Sequence, residues 1–114
     1  VNIEECLKIM RERWRIEPLS AYINSDSVTK VAVGGGACGD MWYEALQAGS
    51  QLFITSDISY HQRQDALTEG LSLIITDHGE TERLSLPYLA NIIEAETGLG
   101  TTVLHEIMTY KKII

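Results

Sequence analysis

No apolar run in the sequence approaches the ~18–20 residues that a membrane-spanning helix needs. Positive charge is scarce, with 9 Lys+Arg against 16 Asp+Glu and a formal net charge of -7. That balance argues against a nucleic-acid binder, which needs a basic stripe along the phosphates, and suits a soluble protein. Cysteine is limited to Cys6 and Cys38. Their separation matches no disulfide framework, so free thiols and a reducing, cytoplasmic location are expected. A signal peptide is not indicated, because Glu4, Glu5 and Lys8 interrupt the first apolar residues. Internal repeats, low-complexity runs and evident linkers are also missing. What is present is 45% hydrophobic and 22% charged residues in a chain of 114, which argues against disorder and fits one domain with a modest core. The sequence opens on Val1 and enters a helical pattern at once, as a portion of a longer protein would.

Asn2 and Glu5 form a capping-box pattern ahead of Ile3, Cys6, Leu7, Met10 and Trp14, which predicts a helix over 3–13. A short edge strand is expected over 19–23, and Thr29–Val33 should enter the sheet and run into Gly34-Gly35-Gly36-Ala37-Cys38-Gly39. Asp40 is the expected cap of a helix over 41–48, with Met41, Trp42, Ala45 and Leu46 inward. Leu52–Thr55 and Leu73–Thr76 are continuous apolar runs that predict buried strands. Ser59 should cap a helix over 60–69, a first turn should begin near Gly79, and a helix over 86–97 should turn Leu86, Leu89, Ala90 and Ile93 inward. Thr101–Met108 completes the pattern as a last strand, in which His105 is a packed or partly exposed residue. Strands alternating with helices define an α/β fold with a single open, mostly parallel sheet and helices packed on it.

Ligands of open α/β sheets bind beyond the carboxyl ends of the strands, and two polar clusters fall there. His78 and Glu82 are four apart, so on a helical turn they share a face. An imidazole and a carboxylate so placed can hold a divalent ion; the alternative is a helix-capping glutamate beside a histidine that bonds a neighbour. Asp57 and His61 repeat the spacing after the preceding strand, again with capping as the alternative. Gly34, Gly36 and Gly39 match the dinucleotide fingerprint, and Asp57 stands where its ribose-binding acid belongs. The competing reading is a tight strand-to-helix turn that lets a ligand or another backbone approach. No Gly-Lys-Ser/Thr follows, so the loop is not a P-loop. Cys38, near a helix start, is read as structural in the absence of a partner base.

Lys30-Val31-Ala32-Val33-Gly34-Gly35-Gly36, then Phe53-Ile54-Thr55-Ser56-Asp57-Ile58-Ser59-Tyr60-His61, then Ile75-Thr76-Asp77-His78-Gly79-Glu80-Thr81-Glu82 resembles the C-terminal half of the NIF-three-like dinuclear-metal-centre family. Many of its members carry the label of GTP cyclohydrolase I type 2 homologues. The resemblance runs from about Ser20 to Met108 and makes residues 1–114 a C-terminal half-domain. It implies two related α/β halves facing a cleft with two divalent metal ions (Zn, Fe, Mn or Mg), in a toroidal hexamer. His78 and Glu82 match the family's His-x-x-x-Glu ligands. His61 matches a Tyr-His element bordering the pocket, and is carried with Asp57, Gly35 and Gly36 as supporting or substrate-binding residues.

The remaining family ligands, a paired histidine before proline and an aspartate, belong to the N-terminal half, and this chain has no His-His-Pro. The N-terminal half is therefore the expected partner, with incomplete coordination and an unfilled metal site in this chain alone. Glu80 stands where the family has an aromatic, and with Asp77 makes the lip acidic. The function implied is a metal-dependent hydrolase of a nucleotide-like or phosphorylated small molecule. The alternatives are a non-catalytic metal-handling protein, a ring-assembly module and, from the glycine loop, a dinucleotide-binding domain.

Overall fold

Leu52, Phe53, Ile54 and Thr55 are all buried, because this run lies inside a sheet covered on both faces. A computed structural model of the chain describes residues 1–104. Among them are β1 (Ser20–Tyr22), β2 (Val31–Val33), β3 (Leu52–Thr55) and β4 (Ser72–Ile75). They form one 4-stranded sheet in the order β1-β4-β3-β2. β2 pairs parallel with β3, pairing Ala32 with Phe53, and β3 parallel with β4, pairing Ile54 with Ile74. β1 runs antiparallel to β4, pairing Ala21 with Ile74. The expected α/β sheet, open and mostly parallel, is thus present.

Successive strand residues point to opposite faces, and the core divides accordingly. Leu52, Ile54 and Ile74 pack with Ile3, Cys6, Leu7, Met10 and Val28 on one face. Phe53 and Leu73 pack with Ala45, Ala66 and Leu71 on the other. The first face is covered by α1 (Ile3–Ile9), begun by the Asn2–Glu5 capping box. It continues as a π-helical turn over Met10–Trp14, ended by Arg15 in the left-handed region. The second face is covered by α2 (Trp42–Gln47) and α3 (Tyr60–Thr68). Ser59 caps α3 by accepting from the Gln62 amide.

Three expectations need correcting. Asp40 makes no cap hydrogen bond; Gly39–Met41 is a 3-10 turn leading into α2, and Met41 is exposed. Thr101–Leu104 is not a strand, because the Thr101 amide and hydroxyl donate to Glu94 Oε1 at 3.1 and 2.6 Å rather than entering a ladder. Residues 105–108, with His105, lie outside the described residues.

The third correction concerns burial. The chain divides into two compact units, Val1–Glu82 with the sheet, and the residues from Arg83 onward. α4 (His78–Arg83) closes the first, and α5 (Leu86–Thr97) belongs to the second. α5 has the expected bounds, but Leu86, Leu89 and Ile93 are exposed and none of its residues is buried. Among the described residues of its own unit, its apolar face meets Thr101–Leu104 across an open groove of about 460 Å³. A single short segment cannot bury a helix stripe.

Candidate metal centre

The carboxyl ends of β2, β3 and β4 lie side by side, and the candidate site is built on them. The Gly34 amide donates to Ile54 O at 2.9 Å and the Thr76 amide to Thr55 O at 2.8 Å. These bonds carry the two ladders past the last strand residues, so the glycine loop, Asp57 and His78 are held by one frame. Asp77 Oδ2 accepts from the Glu80 amide at 3.0 Å. Asp77 thus serves as the cap that starts α4, which puts His78 and Glu82 on one helical face.

The first surprise is which carboxylate meets which imidazole. Asp57 pairs with His78, its Oδ2 against Nδ1, and not with His61. On the far side of the ring, Nε2 of His78 lies 2.8 Å from Glu82 Oε1. Each ring nitrogen therefore faces a carboxylate. The His78 pKa is raised, first by the hydrogen bond to Asp57 and then by that to Glu82, with burial opposing. The side chains of His78, Asp57 and Glu82 are 39%, 53% and 63% exposed, so the group is open to a ligand from solvent. Asp57 has φ 50, a left-handed conformation that aspartate tolerates better than most residues.

Two glycines make room for this group. Gly36 has φ +66, and a Cβ there would stand 2.7 Å from Glu82 Oε1 and 3.2 Å from His78 Nε2. A Cβ on Gly39 would stand 2.5 Å from Ile58 Cα and 2.6 Å from Asp57 O. The loop is thus a close approach of backbone to the His78–Glu82 pair and to the Asp57 segment. The Gly36 amide donates to Thr81 Oγ1 at 2.9 Å. With that amide and the Asp57 carboxylate both engaged, the dinucleotide reading of the loop gains no support. Gly35 lies against Thr81, and the Cys38 thiol donates to Gly35 O at 3.1 Å; both cysteines are free.

His61 is exposed, its ring set edge-on to Tyr60 with centroids 5.5 Å apart. Arg63, two residues further along α3, lies over the rings of Tyr22 and Tyr60 at 4.9 and 5.2 Å. Sequence reasoning did not single out Thr81, whose hydroxyl also donates to His78 O at 2.8 Å. The available signal was its place three residues after His78, where a helical hydroxyl reaches back to a carbonyl.

Among the described residues, no three His, Cys, Asp or Glu side chains converge on one metal-sized point. Asp57 and Glu82 occupy opposite ring nitrogens, which explains this. The two-donor edge nevertheless suits a cation. Ligand bonds of ~2.0–2.2 Å at a right angle place their donor atoms about 3 Å apart, close to the 2.8 Å between His78 Nε2 and Glu82 Oε1. Asp57 on Nδ1 stands where an outer carboxylate typically orients a metal-binding imidazole. The residues fit one edge of a divalent site and do not complete it.

A parallel-sheet α/β unit with a carboxylate–imidazole–carboxylate group at its strand ends is the class that fold and site define. Residues 1–112 match the family model described as Duf34/NIF3 (NGG1p interacting factor 3), and the chain belongs to that family. A GTP cyclohydrolase 1 type 2 homolog of a Nostoc species is 30% identical over 86 residues, covering 73% of this chain and 33% of the relative. The Streptococcus pneumoniae protein of the same name is 37% identical over 51 residues, covering 45% and 19%. Among solved structures, a Bacillus cereus protein related to NIF3 superposes with a TM-score of 0.72 at 20% identity, covering 100% of this chain and 33% of that one. Reduced HcgD from Methanocaldococcus jannaschii gives 0.69 at 20% identity, covering 87% and 41%. These two show the fold alone. The chain spans about a third or less of the length of these curated relatives. Among the described residues no helix is long and apolar enough to cross a membrane.

Proposed function

We propose that this chain supplies one half of a dinuclear divalent-metal site, with His78 and Glu82 as its ligands, in a metal-dependent hydrolase of a nucleotide-like or phosphorylated small molecule. The observation that carries the reading is the 2.8 Å His78–Glu82 contact at the strand ends, with Asp57 on the opposite ring nitrogen. The remaining ligands come from the N-terminal half of the same protein, in the hexamer that the family resemblance implies.

Divalent ions, when bound, supply Lewis acidity toward an electrophilic substrate. Asp57 accepts Nδ1–H, so that Nε2, once it gives up the proton now shared with Glu82, would be the nitrogen offered to a metal. Glu82 brings negative charge beside Nε2, while the φ +66 turn at Gly36 keeps the approach clear of side chain. His61 and Tyr60 stand exposed at the start of α3, where a ring can rest against a substrate and an imidazole can move a proton.

The test is metal content and turnover of this chain reconstituted with the half that carries the paired histidines. The reading predicts tight divalent binding, with activity lost on chelation and regained with a single metal. His78→Ala and Glu82→Ala should each abolish both. Unchanged metal content in both variants removes these residues from the site; metal retained without turnover on any phosphorylated substrate leaves a metal-handling protein.

A further inference from the structure

Thr81 is the point where the three strand ends behind the site are joined. Its hydroxyl accepts from the Gly36 amide at 2.9 Å, beyond the end of β2, and donates to the His78 carbonyl at 2.8 Å, after β4. The Ser56 hydroxyl, which is buried and follows β3, lies 3.4 Å away. Amide, hydroxyl and carbonyl form a directed chain, in which each bond polarises the next. Thr81 sits one position before Glu82 and three after His78, so this chain holds the first turn of α4 against the glycine loop. A Cβ on Gly36 would consequently fall 2.7 Å from Glu82 Oε1 and 3.2 Å from His78 Nε2.

We propose that Thr81 is the positioning residue of the site: its hydroxyl, shared by the glycine loop and α4, fixes the His78–Glu82 donor pair in register with that loop. Neither donor is held by burial, since both side chains are well exposed. Beside the side-chain contacts that His78 makes with Asp57 and Glu82, their relative placement depends on the backbone to which they are attached. Without the hydroxyl, the Gly36 amide and the His78 carbonyl each lose this partner and α4 is free to slide on the loop. The inference builds on the proposed metal site, yet its geometric content can be tested without any metal.

The experiment compares Thr81→Val, which keeps shape and removes the hydroxyl, with Thr81→Ser, which keeps the hydroxyl. In the metal-free protein, nuclear Overhauser contacts between Gly36 Hα and the His78 ring read the placement directly. They should persist in wild type and T81S and vanish in T81V, with circular dichroism unchanged. A Zn2+ titration should give an affinity lowered about 10–100-fold in T81V, as loss of a supporting partner typically does, and restored by T81S. Contacts that persist in T81V, or that T81S loses equally, overturn the proposal. Absence of Zn2+ binding once the chain is reconstituted with the half that carries the paired histidines counts against the metal reading, while the metal-free contacts still decide the role of Thr81.

Discussion

Alanine at Gly36 and alanine at Gly39 should fail in different ways. At Gly36 the backbone has φ +66, a left-handed conformation that costs a residue with a Cβ about 1–2 kcal/mol. The new methyl would stand 2.7 Å from Glu82 Oε1, but that oxygen ends a flexible, exposed side chain and can retreat. Retreat adds little to the stability loss and removes the Glu82 contact from His78. At Gly39 the methyl would stand 2.5 Å from Ile58 Cα and 2.6 Å from Asp57 O. Both are backbone atoms and cannot retreat, so overpacking of ~1–3 kcal/mol or somewhat more is expected, together with displacement of Asp57. With about 4–8 °C per kcal/mol for a domain of this size, thermal melts should fall by roughly 4–16 °C in G36A and by at least as much in G39A. Ring NMR of His78 should show the imidazole keeping Asp57 and losing Glu82 in G36A. An unshifted melt for G39A, or a His78–Glu82 contact intact in G36A, would refute the packing described for the loop.

Other outcomes follow from the same geometry. Asp57→Asn should lower the His78 pKa toward its ordinary value in an NMR titration, since Asp57 is the larger of the two raising influences. His78 is raised in the folded state, so its contribution to stability is fully present below its unfolded value of ~6.5 and lost as pH rises through the folded value. Denaturant midpoints across that window should show the decline in wild type and a smaller one in Asp57→Asn. Leu73→Ala removes a fully buried strand residue and should cost ~2–5 kcal/mol by urea denaturation. Glu94→Gln weakens the acceptor of Thr101, whose two bonds lower the Glu94 pKa, and should speed amide exchange at Thr101 while leaving the melt of the sheet unit unchanged.

The sheet was legible because Leu52–Thr55 and the run ending at Ile75 are buried on both faces, so their sequence is continuously apolar. The caps at Asn2 and Ser59 were legible because capping is local. Within the expected last strand, Thr101–Leu104 was misread because alternation over a few residues does not distinguish a ladder from a segment tied to a neighbouring helix by one glutamate. The helix over 86–97 was legible in its bounds, fixed by Pro87 and Gly98, but not in its burial, which depends on what packs against it. At the site, His78 and Glu82 could be paired by helical spacing. The Asp57–His78 pairing spans 21 residues and exists only because β3 and β4 are adjacent and parallel. Thr81 escaped notice for the same reason, since its partners Gly36 and Ser56 are remote in sequence and meet only at the strand ends.

The central claim is that His78 and Glu82 jointly receive a divalent cation, with Asp57 orienting the imidazole. Paramagnetic broadening by substoichiometric Mn2+ tests it most directly, because it locates the ion residue by residue. Signals of His78, Glu82 and Gly36 should broaden first in wild type, and His78 broadening should weaken in Asp57→Asn and disappear in Glu82→Ala. Broadening that begins at exposed carboxylates elsewhere, or that stays at His78 undiminished in Glu82→Ala, would contradict it.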